Sequence, residues 1–487
     1  MSPRALPRAV ALVLLAGCGS AAAITNVENN AGIPFSFSNP GARSLGMGGA
    51  FLGLADDATA AYTNPAGLTG LGLEQQVSIE GRRQEVDTPF ANGGFAEFGP
   101  RGGISGVDYG SASDSVNGVS FLSWVLPREG WSIALYRHEL VNYESSYRTN
   151  PTGFLVDDLE FFLFPYDART DLEIVNYGVS VGVDVNDVIA LGAGLSYYDF
   201  DIASSTARFA AATAGNPDDL VSTQRQNGQD NDIGFNLGVM FRVSPQFNIG
   251  LAYRSAPEFD YRATNVAGAA FQRDLLGAGV FTGQTLADKR SRFEAPDMFG
   301  LGFNWRPNDN LSINLDLNRI NYSNLTNSVD TAFLNNPGDP LTLTTQIDIE
   351  FDNGDGTTTV IPAGTELPDF VASQFQSAVA RTVKADDVFE PRLGVEYFFS
   401  EMKYPVSLRA GIWNETRHTL RSKLDPGLDA NDASGEVRAN AILFSTGHDE
   451  VHYSAGFGIA FPSFQLDFAT DQSDMQDIYS VSAVWRF

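Results

Sequence analysis

Residues 311–318 read LSINLDLN, and this stretch decides the fold class. Leucine and isoleucine occupy its odd positions, whereas serine, asparagine and aspartate occupy its even positions. Successive side chains of a β-strand point to opposite faces, so one face of this strand is apolar and the other is polar. The pattern predicts a strand with an apolar medium on one side and water on the other.

The same alternation recurs along the chain from residue 73 to the C-terminus. It predicts fourteen strands near residues 73–82, 118–127, 131–147, 171–185, 188–206, 231–244, 247–264, 291–307, 311–327, 388–400, 405–419, 450–462, 464–473 and 477–487. A soluble β-sandwich would also alternate, so alternation alone does not distinguish a sandwich from a membrane barrel.

The lengths of the connections distinguish these two fold classes. Each even-numbered strand is followed by a connection of a few residues, such as 186–187 or 462–463. Most odd-numbered strands are followed by long connections, and the longest runs over residues 328–387. Short turns on one side and long loops on the other are typical of outer-membrane barrels, which close and leave no unpaired backbone in lipid. We therefore predict an all-β fold, a transmembrane antiparallel β-barrel of about 14 strands over residues 73–487.

Aromatic residues near the predicted strand ends fit the girdles that mark the two membrane interfaces. They are Trp131, Tyr136, Tyr253, Trp305 and Tyr397. Hydrophobic residues make up 43% of the chain, yet beyond the N-terminus no apolar run is long enough to span a bilayer as a helix. Helical membrane proteins are therefore excluded.

Residues 1–23 have the layout of a secretory signal peptide. Arg4 and Arg8 precede an apolar run, and small residues follow up to Ala23. The only cysteine, Cys18, leaves no partner for an intramolecular disulfide. Residues 15–18 (LAGC) also resemble a lipobox, in which Cys18 would be lipidated and become the mature N-terminus. Cleavage after Ala23 and lipidation of Cys18 are alternatives, and both predict export.

The net charge of −28 and the isoelectric point of about 4.4 argue against a nucleic-acid partner. Phosphates require clusters of lysine and arginine, and the sequence has none. The acidic residues concentrate in predicted loops, where they would hold divalent cations or keep the surface solvated.

The sequence gives little indication of catalysis. The histidines, His138, His418, His448 and His452, show no metal-ligand spacing, and no nucleophile motif is present. We predict that the protein is not an enzyme and holds no metal or cofactor. Outer-membrane barrels with hydrolase activity do exist, however. A Ser or Asp side chain within hydrogen-bond reach of one of these imidazoles on the wall would favour that alternative.

Residues 41–71 read GARSLGMGGAFLGLADDATAAYTNPAGLTGL and show no strand periodicity. They are rich in glycine and alanine and contain Asp56, Asp57, Asn64, Pro65 and Ala66. Fourteen strands enclose a lumen too wide for the wall side chains to fill, so another segment has to occupy it. We predict that residues 24–72 form a plug, and that inward-facing glycines let it approach the wall closely.

Several motifs resemble the FadL-type outer-membrane transporters of long-chain fatty acids and other hydrophobic compounds. These motifs are residues 46–49 (GMGG), 55–58 (ADDA), 64–66 (NPA), 252–255 (AYRS), 296–297 (PD), 453–456 (YSAG) and the terminal Phe487. The resemblance covers nearly the whole mature chain, and the Asn-Pro-Ala triplet is its most specific motif. The terminal phenylalanine also resembles the signal that the barrel-assembly machinery reads.

This resemblance implies a barrel in the outer membrane of a Gram-negative cell, plugged by an N-terminal hatch that contains Asn64, Pro65, Ala66, Asp56 and Asp57. It implies passive uptake of long-chain fatty acids or other hydrophobic small molecules, without an energy source or cofactor. The ligand would be captured on extracellular loops, bound in the lumen and released sideways beside the hatch. The expected partners are this ligand, outer-membrane lipid and lipopolysaccharide, and the barrel-assembly machinery, with the protein acting as a monomer.

Two predicted loops carry apolar residues suited to ligand capture. The second long connection contains Phe154, Leu155, Phe161, Phe162 and Phe164. The fourth contains Phe271, Leu275, Leu276 and Phe281 at partly helical spacing. A surface loop of this kind marks a binding or membrane contact, or else packs on itself or on the barrel mouth.

The sequence departs from the family pattern in two places. The family has its capture groove on the third and fourth extracellular loops, whereas the most apolar loop here is the second. Either the strand count has shifted or the loop roles differ. The strand that begins at Trp131 lacks a glycine at the expected lateral kink, so the exit is not located. In the longest loop, residues 352–356 (DNGDG) would form a hairpin turn or hold calcium.

A second function stays open, because barrels similar to this family act as shuttles or scaffolds in protein secretion at the cell surface. The hatch motifs are common to both groups. An apolar, ligand-sized cavity behind the hatch would favour transport. A polar lumen would favour a scaffold, or a plain diffusion porin if the hatch is absent.

Overall fold

The computed structural model describes residues 37–99, 103–156, 159–209, 220–269, 283, 285–325, 349–352, 358–361, 383–418, 421–422, 438 and 441–487. These residues form an antiparallel barrel with an irregular segment inside it. The first strand pairs with both the second and the last, so the wall is closed. The predicted fold class, an antiparallel barrel of fourteen strand positions, is confirmed.

The strands are β1 (Gln76–Phe98), β2 (Ile104–Arg128), β3 (Trp131–Arg148), β4 (Gly153–Val156), β5 (Leu159–Phe162), β6 (Tyr166–Asp184), β7 (Ile189–Phe209), β8 (Leu220–Ser244), β9 (Phe247–Arg254), β10 (Glu258–Ala267), β11 (Thr285–Glu294), β12 (Met298–Asn308), β13 (Leu311–Ile320), β14 (Ile349–Asp352), β15 (Thr358–Ile361), β16 (Val383–Lys384), β17 (Val388–Phe399), β18 (Val406–Glu415), β19 (Arg421–Ser422), β20 (Glu450–Ala460), β21 (Phe464–Gln472) and β22 (Gln476–Arg486). Two wall positions are interrupted strands, β9 with β10 and β11 with β12. The pairs β4–β5, β14–β15 and β16–β19 lie in the loops. Residues 353–357, which β14 and β15 flank, lie outside the described residues, so the calcium alternative is not tested.

The alternating apolar and polar residues of the sequence occupy the alternating outward and inward positions of the wall strands. Apolar side chains such as Leu195, Ile233 and Tyr453 are exposed on the outer surface, whereas polar ones such as Asn176 and Asn304 are buried inside. This arrangement is the reverse of a soluble protein and suits a barrel whose outer face meets lipid. Among the predicted girdle residues, Tyr136 differs, because it lies at an inward position of β3 and is only 5% exposed.

One side of the wall is taller than the other, since β8 has 25 residues and its neighbour β9 only 8. Between β9 and β10 the chain passes through Pro257, which has no N–H to donate. There the Asp232 carboxylate accepts the N–H of Glu258 at 2.8 Å, and Asp230 accepts that of Asp260 at 2.7 Å. Side-chain carboxylates thus replace ladder carbonyls where the strand is interrupted.

The wall also has a gap between β2 and β3. Their pairing runs from Arg128–Trp131 up to Phe121–His138 and stops there. Beyond this point β2 continues on β1 and β3 continues on β6, with a bulge at Leu140. A bulge bends its strand away from its partner, which accounts for the separation.

Residues 37–71 lie inside the barrel. They contain the short helices α1 (Ala42–Leu45) and α2 (Ala60–Thr63) and the 3₁₀ helix Pro65–Gly70. Ala42 N–H donates to Ser482 of β22, and Phe51 N–H donates to Asp316 of β13. The segment therefore contacts inward positions on separate parts of the wall. No helix in the described residues combines the length and the apolarity that a membrane crossing requires.

Candidate functional site in the barrel lumen

The Asn-Pro-Ala triplet anchors the lumen segment to the wall. Asn64 caps the 3₁₀ helix by accepting the N–H of Ala66 at 3.2 Å, and it donates to the carbonyls of Leu52 at 3.1 Å and Val239 at 3.3 Å. Pro65 follows as the first helical residue, where its missing N–H costs nothing. The triplet thus ties the 3₁₀ helix both to its own segment and to β8.

Two wall glycines allow this close approach. A Cβ on Gly192 would lie 2.3 Å from the carbonyl carbon of Pro65, and one on Gly238 would lie 2.2 Å from Asn64 Oδ1. Such contacts are shorter than any real Cβ makes, so a larger residue at either position would displace the segment. The inward glycines let the lumen segment lie directly on the backbone of β7 and β8.

A charged network joins the turn side of this segment to the wall. Arg43 pairs with Asp56 at 2.6 Å and with Glu396 of β17 at 2.8 Å. Each carboxylate has a second arginine, Arg306 at 2.8 Å from Asp56 and Arg409 at 2.8 Å from Glu396. We call these five residues the lumen latch.

Asp57 lies beside this latch, 3.4 Å from Arg43, and accepts both the N–H and the hydroxyl of Thr59. Burial raises the pKa of Asp57 above its ordinary value, and the neighbouring Asp56 adds to the rise, although Arg43 opposes it. The charged form of this carboxyl is therefore less stable than it would be in water.

Above the segment, on the side of the long loops, the lumen is apolar. Its inward side chains pack into one buried layer, which we call the apolar lumen layer. It comprises Phe37, Leu140, Val141, Tyr143, Leu172, Ile174, Tyr198, Phe200, Ile202, Phe259, Tyr261, Ala263, Phe293, Ala295, Met298, Ile320, Tyr322, Ala385, Val388 and Phe444. Phe200 stacks on Phe259 at 4.6 Å and on Phe293 at 5.6 Å between ring centroids. Tightly packed aromatic and aliphatic residues are the usual lining of a site for hydrophobic molecules.

Arg254 lies between this layer and the lumen segment. It is 4% exposed, and it donates to Asn39 Oδ1 at 2.6 Å and to the carbonyl of Thr63 at 3.3 Å. Its guanidinium covers the ring of Tyr62 at 4.2 Å. Within the described part of the chain no carboxylate pairs with Arg254, and its Nε has no hydrogen-bond partner. A buried arginine without a counter-charge is costly, and such groups occur where a ligand supplies the missing charge.

Other polar atoms at the same level also lack partners. The Nδ1 atom of His138 and both amide atoms of Asn176 are buried without a hydrogen bond in the described residues. His138 also stacks on Tyr62 at 4.1 Å. The floor of the apolar layer therefore offers unused polar groups around one positive charge.

The apolar lumen layer extends to the gap in the wall. Leu140, Val141 and Tyr143 belong to this layer, and all three lie on β3 at or just beyond the bulge. On the outer side Arg137 donates to the carbonyl of Val119, a backbone group that the lost pairing leaves free. The apolar lumen layer thus reaches this break between β2 and β3, which Arg137, Glu139 and Asn142 also line.

The predicted capture residues fall into three groups. Phe154 is 1% exposed and packs against Ala91, Ala96 and Ile442 in a small core. Leu155 and Phe162 are exposed at 43% and 45%, and Phe164 is half-buried. The side chain of Phe161, and residues Phe271, Leu275, Leu276 and Phe281, lie outside the described residues. A role in capture remains a prediction for all of them.

His452 meets the criterion stated above for the enzyme alternative, because an Asp carboxylate lies within hydrogen-bond reach of it, but its surroundings do not suit a nucleophile. Its Nδ1 lies 2.7 Å from Asp471, and its Nε2 lies 3.0 Å from Glu415. Ser454 donates to Asp471 rather than to the imidazole. Both ring nitrogens face carboxylates, so the imidazole has no nitrogen directed at a nucleophile. No group of metal-ligating side chains occurs in the described residues.

Sequence reasoning missed Arg254 and the bulge at Leu140. Arg254 stands in the AYRS motif at residues 252–255, so the motif was a signal, but its burial depends on the closed wall. The bulge has no glycine or proline to mark it, and residues 138–141 (HELV) carry no local sign of it.

Comparisons with known proteins agree with this geometry. Residues 164–352 match the family described as outer membrane protein transport protein (OMPP1/FadL/TodX). A Pseudomonas aeruginosa FadL homologue aligns with a TM-score of 0.59 at 15% identity, covering 93% of this chain and 99% of that one. The CymD monoaromatic hydrocarbon channel and the Ralstonia pickettii toluene transporter TbuX align with TM-scores of 0.50, at 14% and 15% identity, and each alignment covers 93% of this chain and 99% of the other. A search of curated protein sequences finds no match.

At these identities the structures bear on the fold, and the family match bears on residues 164–352. The motifs, the closed barrel and the family match agree with one another, and they confirm the resemblance stated above. The chain is a closed antiparallel barrel with the fold of the FadL homologue, and its residues 164–352 match the outer membrane transport protein family.

Proposed function

We propose that the protein takes up long-chain fatty acids, or hydrophobic molecules that resemble them, by passive passage across the outer membrane. One observation carries this proposal: the apolar lumen layer lies between the lumen segment and the loops and reaches the gap at Leu140. A polar solute would gain nothing from this lining, whereas each buried methylene of an alkyl chain contributes about 0.8 kcal/mol.

Arg254 supports an acidic head group on that alkyl chain. A carboxylate at the floor of the apolar layer would receive charge-assisted hydrogen bonds from a guanidinium that has no acidic partner in the described residues. A neutral hydrocarbon would leave the guanidinium without a counter-charge. The layer therefore suits a molecule with one long apolar part and one anionic end.

The remaining steps follow the same chemistry. Exposed Leu155 and Phe162 near the barrel mouth would make the first contact with the ligand. Residues 24–72 would act as the hatch below the lumen site, held by Asn64, Pro65 and Ala66 and by Asp56 in the latch. Release would occur sideways through the gap between β2 and β3, because the apolar layer continues to it and the lumen segment occupies the axial route.

The test compares binding of a radiolabelled long-chain fatty acid with binding of the alcohol of the same chain length. The purified wild-type protein should bind both, and the acid more tightly. Arg254→Gln should weaken binding of the acid about ten-fold, which corresponds to about 1.4 kcal/mol, and leave the alcohol within about two-fold. Arg242→Gln is the matched control, since Arg242 faces the lumen on β8 but has its own carboxylate, Asp184, at 2.8 Å.

Each result has a distinct meaning. If the wild-type protein binds neither ligand and vesicles that contain it take up neither, uptake of hydrophobic molecules is wrong. If Arg254→Gln weakens acid and alcohol equally, the anionic preference is wrong while uptake stands. Unchanged heat-dependent gel mobility would show that each variant barrel is folded.

The secretion scaffold is the second candidate. A scaffold function does not require apolar residues in the lumen, so the apolar layer favours transport over it. A scaffold would also retain its activity when the lumen is made polar. Phe259→Asp should therefore abolish fatty-acid binding under the transport proposal and leave a scaffold unaffected.

A further inference from the structure

The outer face of the wall carries a groove that the transport path does not use. Its volume is about 760 Å³, and its lining crosses β20, β21, β22, β1 and β2. Phe457, Phe468 and Val481 line one end, and all three are exposed outward. These residues pair laterally, Phe457 with Phe468 and Phe468 with Val481, so they form a continuous apolar row on the lipid-facing side.

Gly81 creates the depth of this groove. It pairs with Val481 on one side and Val119 on the other, which places it in the same outward row. A Cβ added to Gly81 would find no atom nearer than the carbonyl oxygen of Gly118 at 4.0 Å. The missing side chain is therefore not required by packing, and it leaves a notch between larger neighbours.

The other end of the groove is polar. Arg83 pairs across the strands with Asn117 and Tyr479, and all three line the groove. Arg83 also pairs with Glu85 at 2.7 Å, but Glu85 is not part of the lining, and no Asp or Glu is. Along β1, Gly81 is nearer the short turns and Arg83 is nearer the loops. The apolar end thus points to the middle of the membrane and the cationic end to its outer surface.

We propose that this groove binds an acyl chain of a phosphorylated lipid of the outer leaflet, with the lipid phosphate at Arg83. A lipid of the outer leaflet has its acyl chains toward the middle of the membrane and its head group at the outer surface, as the apolar and cationic ends of the groove require. The groove is on the outer face of the wall, so such a lipid has direct access to it. A guanidinium with a neighbouring amide and phenol hydroxyl provides donors for phosphate oxygens. The volume lies within the range of sites that hold lipid-sized ligands. This proposal does not depend on what the lumen transports.

The test measures lipid retention by native mass spectrometry of the full-length mature protein in detergent. The probes are phosphorylated lipid A and the same lipid A after removal of its phosphates, each added at equal concentration. Gly81→Leu fills the notch from outside without touching the lumen, and it should lower lipid A retention about ten-fold. Arg83→Gln should lower the retention of phosphorylated lipid A toward the level of the dephosphorylated lipid. Ala193→Leu, a lipid-facing substitution on β7, is the control and should retain lipid as the wild type does.

Three outcomes would overturn the proposal. Equal retention by wild type, Gly81→Leu and Ala193→Leu would mean that the groove holds no specific lipid. Equal retention of both lipids by the wild type would mean that the lipid phosphate does not contribute to binding in the groove. Loss of fatty-acid release in Gly81→Leu without loss of lipid A would assign the groove to the departing ligand instead.

Discussion

Arg254 and Asp57 are lumen charges whose surroundings act on them differently. Arg254 borders an apolar layer and donates only to uncharged groups among the described residues. Asp57 faces Arg43 but is buried next to a second carboxylate, Asp56. The first charge should therefore respond to an anionic ligand, and the second should respond to pH.

The pH response of Asp57 has a definite sign. A carboxyl with a raised folded-state pKa keeps its proton in the barrel at pH values where the unfolded chain has lost it. Its contribution to the free energy of unfolding is thus full below the ordinary pKa of 3.8 and is lost as the pH rises through the raised value. We expect the stability of Asp57→Asn relative to the wild type to increase from about pH 4 to about pH 7, measured by heat-dependent gel mobility.

Asp387, just before β17, provides the opposite control. Burial alone would raise its pKa, but hydrogen bonds from Ser323 and Arg319 lower it below the ordinary value. Its contribution is therefore present above pH 3.8 and is lost as the pH falls through the lowered folded-state value. Asp387→Asn should lose stability relative to the wild type as the pH rises through that range. Parallel curves for the two variants would contradict the assignment of Asp57.

Substitutions of the exposed loop residues Leu155 and Phe162 and of the buried Phe154 should affect the protein differently. The double variant Leu155→Asp and Phe162→Asp should slow uptake at low ligand concentration, because it removes apolar surface that the ligand meets first. Phe154→Ala should instead loosen the small core around Ile442, at a cost of about 3 kcal/mol. Leu73→Asp, an exposed apolar position outside the loops, is the control. Unchanged uptake in the double variant would mean that this loop does not contribute to ligand capture.

At the level of elements, the proposed lateral release depends on the gap between β2 and β3. A cysteine at Gly118 would place its Cβ 3.8 Å from the Asn142 side chain across the gap. Gly118→Cys with Asn142→Cys, joined by a short bis-thiol crosslinker, should reduce fatty-acid uptake about ten-fold and leave binding within about two-fold. Leu135→Cys with Val179→Cys joins β3 and β6 where they already pair, and should change neither. Normal uptake after crosslinking of the first pair would rule out release through the gap.

The strands could be predicted from the sequence because lipid and lumen impose opposite polarity on alternate residues. In β13 the alternation runs without error from Leu311 to Asn318, and the predicted start at residue 311 agrees with the structure. The upper half of β1 was missed, since Gly93 and Gly94 interrupt the period and its inner face there contacts loops rather than water. The breaks at Pro257 and Pro296 were read as continuous strands, because the flanking residues alternate on both sides.

The candidate site was harder to predict than the wall. Asn64, Pro65 and Ala66 could be named from the sequence, because a short motif carries its own backbone geometry. Arg254 and the gap arise from contacts between residues far apart in the chain, such as Arg254 with Asn39 and β3 with β2. The alternation within one strand does not show where that strand stops pairing with its neighbour.

As a whole molecule, the barrel divides its lumen into two layers. Near the short turns the lumen segment is held by charges and backbone hydrogen bonds, whereas near the loops the inward face is apolar. A ligand that enters from the loops meets the apolar layer first and Arg254 next. Under the proposed function, the lumen segment then blocks the axial route, and the ligand would leave sideways through the gap.

We propose that the lumen latch helps to keep the axial route closed. Arg43→Ala removes the one residue that bridges Asp56 and Glu396, but Arg306 and Arg409 still compensate these carboxylates. The loss should therefore be smaller than the about 3–5 kcal/mol expected for breaking an isolated buried pair. We expect the segment to loosen, so that small hydrophilic antibiotics enter cells several-fold faster while fatty-acid binding at Arg254 persists. Arg290→Ala, which changes an exposed arginine 3.8 Å from Asp260, is the control and should admit no antibiotic. Equal antibiotic entry in both variants would mean that the latch does not hold the segment, and that its anchorage rests on Asn64 and the wall glycines alone.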